Sequence, residues 1–85
     1  MNSLLFELGG VAARALKAGV KEYKRDPAGA TQGSISVVVL KEVGDWKPVV
    51  NGKCILTGAL RASLASALAG LAYNIAAAEA GRGLV

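Results

Sequence analysis

Apolar residues recur at helical spacing in the C-terminal third of the chain, between Thr57 and Gly81. The stripe advances by four, four, three and four residues, and this spacing places its members on one face of a helix. Thr57 is a favourable N-cap and Gly81 a favourable C′ residue, so the sequence predicts a helix between them. The members of the stripe are Leu60, Leu64, Leu68, Leu71 and Ile75.

Beside this stripe, small residues recur four apart at Ala62, Ser66 and Gly70. A glycine in a helix interior costs roughly 1 kcal/mol relative to alanine, so Gly70 suggests that another element approaches closely there. We therefore predict that this small-residue ladder packs against the first helix or against its copy in a second chain. The long alanine-rich helix also favours a homodimer.

Residues 3–25 predict a first helix, because apolar residues between Leu5 and Tyr23 approximate one buried face. Cations recur along its other side at spacings of three, four, three and one. Such a charge run is most often only a solvated helix face, and binding to an anionic partner is the alternative. The cations are Arg14, Lys17, Lys21, Lys24 and Arg25.

The middle of the chain predicts strands. Asp26-Pro27 ends the first helix, and the β-branched residues of 34–41 then indicate a strand that is apolar on both faces. Residues 46–50 predict a second, edge strand, and Asn51-Gly52 predicts a tight hairpin turn into a third strand at 53–56. We therefore expect an α+β domain over residues 1–85. Its order is helix, three-stranded antiparallel meander, long C-terminal helix, with both helices on one face of the sheet.

The composition of the chain provides few side chains that could form a catalytic or metal-binding site. The chain has no histidine and one cysteine, and ten Lys/Arg against six Asp/Glu give a net charge of +4. Cys54 alternates with Ile55 along the third predicted strand, which favours a small core residue over a nucleophile. The acidic residues are scattered, so no acid, base or metal set can be assembled. We expect no enzymatic activity, no catalytic residue, no cofactor, no metal and no small-molecule substrate.

The single cysteine suits a reducing compartment, so we expect a cytoplasmic chain. The charge balance leans toward anionic partners. Residues 62–78 are uncharged. Their alanine, serine and glycine make them only weakly hydrophobic, and their length is at the short end of a membrane span. A buried or dimer-packed helix is therefore favoured, and a membrane helix is the alternative.

The order helix–strand–strand–strand–helix resembles the layout of double-stranded-RNA-binding domains over nearly the whole chain. That family carries a cluster of lysines at the start of its last helix, where this chain has Arg61 with Lys53 upstream. The resemblance implies RNA binding through the layout alone, and no site residue is carried over. The small, motif-free character of the chain is also similar in type to many phage-encoded inhibitors of bacterial defence.

Three classes of function remain open at this stage. The first is a non-enzymatic binding module that contacts nucleic acid through the cations of the first helix. The second binds a protein, such as an acidic or nucleoprotein assembly that it would inhibit by occupation. The third is a small membrane-associated or structural protein built on the last helix.

Overall fold

A computed structural model describes residues 3–81 of the chain. Within them, three helices span Ser3–Arg25 (α1), Gln32–Gly44 (α2) and Gly58–Glu79 (α3). A short antiparallel hairpin, with strands Val49–Val50 (β1) and Lys53–Cys54 (β2), connects α2 to α3. Each helix packs against the other two. The fold is therefore a three-helix bundle with a hairpin in its second connection.

The directions of the helices follow from contacts near their ends. Trp46, just beyond the end of α2, contacts Glu7 at the start of α1, so α1 and α2 run in opposite directions. Lys24 and Glu79 form an ion pair at the C-terminal ends of α1 and α3. These two helices therefore run the same way, and α2 runs against both.

Apart from Tyr23, the interior of the bundle is built from small and branched aliphatic side chains. At its centre, the Cβ of an alanine in place of Gly19 would lie 2.6 Å from the Cβ of Ala72 and 3.1 Å from Cγ2 of Ile35. Glycine is therefore required at this point, where the three helices meet. The buried apolar residues are Val11, Ala15, Tyr23, Ile35, Val39, Val43, Ala65, Leu68, Ala69, Ala72, Ala76 and Ala77.

The expected fold class is wrong, because residues 34–41 lie inside α2 and form no strand. Two reciprocal hydrogen bonds start this helix. The hydroxyl of Thr31 accepts from the Ser34 N–H at 3.0 Å, and the hydroxyl of Ser34 accepts from the Thr31 N–H at 3.1 Å. Ile35, Val39 and Val43 then recur four apart and are all buried. The capping and this helical period outweigh the β propensity of the valine run.

The hairpin prediction is confirmed in part. Asn51 and Gly52 adopt positive φ values of 53° and 78°, and the register pairs Val49 with Cys54 and Val50 with Lys53. This sheet has two strands only, in contrast to the expected three-stranded meander with both helices on one of its faces. With that meander lost, the resemblance to double-stranded-RNA-binding domains no longer applies to the described chain.

The C-terminal helix has the predicted ends but a different buried side. The hydroxyl of Thr57 accepts from the Leu60 N–H at 3.2 Å, and Gly81 has a φ of 77° beyond the last turn. Of the predicted leucine stripe, Leu68 is buried, whereas Leu60 and Leu71 are 55% and 49% exposed. The alanines face the core in their place, because small side chains let α1 and α2 approach α3 closely.

Candidate partner-binding surface

The five cations predicted on the first helix form one exposed row, which we call the cationic ridge. The ridge exists because the opposite side of α1 is fixed in the core by residues four apart from Val11 to Tyr23. At 1.5 Å per residue, it extends about 16 Å from Arg14 to Arg25. Its members, all exposed, are Arg14, Lys17, Lys21, Lys24 and Arg25.

Two ridge cations have acidic partners within the chain. The Lys24 ammonium lies 3.4 Å from a carboxylate oxygen of Glu79, and the Arg25 guanidinium binds Glu22 one turn earlier on α1. The hydrogen bond from Arg25 holds the pKa of Glu22 below its ordinary value. Arg14, Lys17 and Lys21 form no ion pair with any residue of 3–81. These three cations are the ones most open to an external anion.

On one side of the ridge, α1 and α3 border an open surface groove of about 450 Å³, the α1–α3 groove. Its apolar lining comes from Leu16, Val20 and Ile75, which are half-buried. Three cations and one carboxylate complete the lining, so the groove combines an apolar surface with an excess of positive charge. The charged residues are Lys17, Lys21, Lys24 and Glu79.

On the other side, α1 and α2 border a second open groove of about 540 Å³. Three of the ridge cations reach it, and Lys41 of α2 adds a fourth positive charge that sequence reasoning did not assign to any site. Glu22 and Glu42 offset part of this charge, and the apolar lining is limited to Ala18 and Val38. Lys41 was missed because residues 34–41 were interpreted as a strand.

A third cleft, of about 510 Å³, lies where the start of α1 meets the connection after α2. Trp46 is half-buried there, and its indole N–H donates to Glu7 Oε1 at 3.0 Å. Phe6 beside it is 73% exposed. Arg14, at the first end of the ridge, also lines this cleft.

Arg61 has a structural role that no pattern in the sequence indicated. Its guanidinium donates to the carbonyls of Val43 at 2.6 Å, Trp46 at 2.7 Å and Leu56 at 3.4 Å. These acceptors lie at the end of α2 and on both sides of the hairpin. The single cation at the start of α3 therefore fastens the α2–α3 connection and is not presented to a partner.

The small-residue ladder does not lie between helices of the same chain along its whole length. Ala62 and Ser66 are exposed, and the Cβ of an alanine at Gly70 would meet Nε2 of Gln32 at 3.3 Å. The contact at Gly70 is thus with the end of a flexible side chain of α2, not with the backbone of α1. Packing of this ladder against a second chain stays a prediction.

Within residues 3–81, no group of three or more His, Cys, Asp or Glu side chains is placed to hold a metal ion. Cys54 is exposed on the hairpin, so its interpretation as a core residue was wrong. Its thiol faces the carbonyl of Leu56 at 3.6 Å. In the same part of the chain, no helix has both the length and the apolar character needed to cross a membrane.

Comparisons with protein-family models, curated proteins and solved structures yield no match to this chain. Assignment of a function therefore depends on the geometry of the ridge and its grooves.

Proposed function

We propose that this chain is a non-enzymatic binding module that contacts an acidic surface of another protein through the cationic ridge. The observation that carries the proposal is the ridge itself, with five exposed cations on one helix face and apolar side chains in the grooves on either side. Protein interfaces combine apolar anchors with complementary charge in this way. A partner whose own binding surface is covered by this module would be inhibited by occupation.

Exposed apolar side chains elsewhere on the molecule favour a protein partner over nucleic acid. They include Phe6 and Leu5 at the start of α1, and Val37, which is 70% exposed on α2. A phosphate backbone offers nothing apolar to cover such groups, whereas a protein does. The inward orientation of Arg61 also removes the one cation that the RNA-binding layout would have used.

Nucleic acid is the second candidate, favoured by the net charge of +4 and by ridge cations that have no acidic partner in the described chain. About four or five neutralised phosphates would give a slope of log affinity against log salt near −4 on duplex DNA. Such contacts would be largely independent of base sequence. Failure to bind DNA or RNA at roughly 50 mM salt would eliminate this candidate, because screening is weak there.

The experiment that tests the proposal is cross-linking and affinity capture from a lysate of the source organism, with and without nuclease. The ridge variant Lys17→Glu/Lys21→Glu lowers the net charge by four, from +4 to 0. The control variant Lys47→Glu/Lys53→Glu makes the same change at exposed positions outside the ridge. We expect a nuclease-resistant partner that is lost in the ridge variant and kept in the control.

Two results would contradict the proposal. If no partner is captured after nuclease treatment, the ridge binds nucleic acid and not a protein. Equal capture by the ridge variant and the control variant would show that the ridge is only a solvated helix face.

A further inference from the structure

The α1–α3 groove differs from the other two clefts in the arrangement of its charge. Leu16, Val20 and Ile75 supply a continuous apolar lining, and Lys17 and Lys21 stand on its α1 edge with no acidic partner in residues 3–81. Leu71 lies one turn before Ile75 on the same side of α3 and is 49% exposed, so it extends the apolar surface. The groove is thus apolar along its length and positive along one edge.

Its far end is closed by the ion pair between Lys24 and Glu79, whose side chains are both largely exposed. An exposed pair of this kind contributes little stability, so an incoming carboxylate could take the place of Glu79 beside Lys24 at small cost. The groove therefore offers up to three ammonium groups to an acidic ligand.

We propose that the α1–α3 groove binds one amphipathic helix of the partner protein, with acidic residues along the helix flank that faces Lys17 and Lys21. The inference rests on the proposed function, because it specifies the partner surface that the ridge contacts. Two parallel helices leave a groove into which the side chains of a third helix can pack. Apolar anchors at positions i, i+3 or i+4, and i+7 are the usual form of such a ligand.

A second copy of this chain does not supply a helix of that charge. Its α1 would bring like charges against Lys17 and Lys21, and α2 has one acid, Glu42, beside one lysine, Lys41. Its α3 has one acid and one arginine. Charge complementarity therefore favours a foreign acidic helix over self-association at this groove.

The test uses a fluorescein-labelled synthetic helix about four turns long, with leucines at helical spacing and glutamates on both flanks. Two control peptides replace the glutamates with lysine or the leucines with serine. Fluorescence anisotropy at roughly 50 mM salt should give a Kd at or below about 100 μM for the acidic peptide. It should give at least about tenfold weaker binding for each control peptide.

Protein variants then locate the binding. Leu71→Ser should weaken the acidic peptide about tenfold, whereas Leu40→Ser, at a position of α2 that is 47% exposed, should leave its affinity unchanged. Glu79→Gln should strengthen binding of the acidic peptide about two- to threefold. The substitution frees Lys24 and removes from the groove a negative charge that repels the glutamates of the peptide. Thermal melting of each variant checks that it is folded.

The inference is overturned if the wild-type protein does not bind the acidic peptide, or if Leu71→Ser and Leu40→Ser have equal effects. It is also overturned if duplex DNA binds the ridge while the acidic peptide does not. The proposed function fails separately. If the peptide does not bind but capture of a nuclease-resistant partner still requires Lys17 and Lys21, the ridge proposal stands and only the groove inference is lost.

Discussion

Along α3, the side that faces the other two helices carries alanines, whereas several of the larger aliphatic side chains lie at its border with solvent. Ala69 and Ala72 are completely buried, but Leu60 and Leu71 keep about half of their surface exposed. The pattern of hydrophobicity alone would assign the two sides the opposite way. Close approach of the helices explains the difference, because Gly19 of α1 faces Ala72 with no space for a further methyl group.

The comparison shows that size, and not only polarity, determines which side of a helix is buried. A bundle that packs on glycine and alanine gains close contact between its helices but covers less apolar surface per residue. The leucines beside the core then remain partly available to a partner. The same packing therefore builds the interior and leaves an apolar border next to the cationic ridge.

The largest expected effect is that of filling the interior. Gly19→Leu should destabilise the fold by about 3 kcal/mol or more, because even its Cβ would collide with Ala72 and the backbone must shift. Chemical denaturation measures this loss. A variant with the stability of the wild-type protein would show that α1 and α3 do not meet at this point.

A smaller loss is expected at the end of the bundle where Arg61 fastens the α2–α3 connection. Arg61→Ala should cost about 2 kcal/mol, since carbonyls of Val43 and Trp46 lose a charged donor in a partly buried position. Arg61→Lys should recover only part of that stability, because an ammonium group cannot reproduce the fork of the guanidinium. Equal stability of all three proteins in urea would refute this role.

Substitution of Gly70 should have the opposite effect on stability to substitution of Gly19. Gly70→Ala should stabilise α3 by roughly 0.5 kcal/mol, because alanine is the better helix former and the nearest atom belongs to the flexible end of Gln32. Urea denaturation measures the free energy of unfolding of this variant and of Gly19→Ala, which we expect to be less stable than the wild-type protein. A loss at Gly70 as large as that at Gly19 would show that a helix backbone lies against the ladder.

The smallest effect concerns the ion pair on the surface of α1. Because Arg25 lowers the pKa of Glu22, the pair contributes stability above the ordinary pKa of a glutamate and loses it as the pH falls through the lowered value. The wild-type protein should therefore lose slightly more stability than Glu22→Gln as the pH falls below about 5. Melting temperatures of the two proteins across this range provide the measurement. Parallel curves would show that the pair contributes nothing.

Local signals in the sequence were sufficient for several elements. The bounds of α1, the turn at Asn51-Gly52 and the cap at Thr57 were predictable, since each depends on spacing or backbone chemistry within a few residues. The error at 34–41 arose because Val37 and Leu40 are apolar yet exposed, which concealed the four-residue period of the buried positions. The cap at Thr31 was the signal that could have corrected it.

The candidate surface, like the fold, was only partly predictable from the sequence. The five ridge cations are exposed, and helical periodicity on one element was enough to predict this. Their contact with a partner stays a prediction. The grooves could not be predicted, because they require Ile75 and Lys41 to be brought beside α1 by the tertiary packing. The role of Arg61 could not be predicted either, because its acceptors are backbone carbonyls, which every residue has.

The most direct test of the account is methyl NMR of the protein with a soluble paramagnetic agent, which broadens signals near solvent. The methyl groups of Leu60 and Leu71 should be strongly broadened, whereas those of Ala69 and Ala72 should be protected. The opposite result, with the leucines protected and the alanines broadened, would mean that α3 is rotated from its position in the bundle. The close-packed interior and the apolar border of the ridge would then both be wrong.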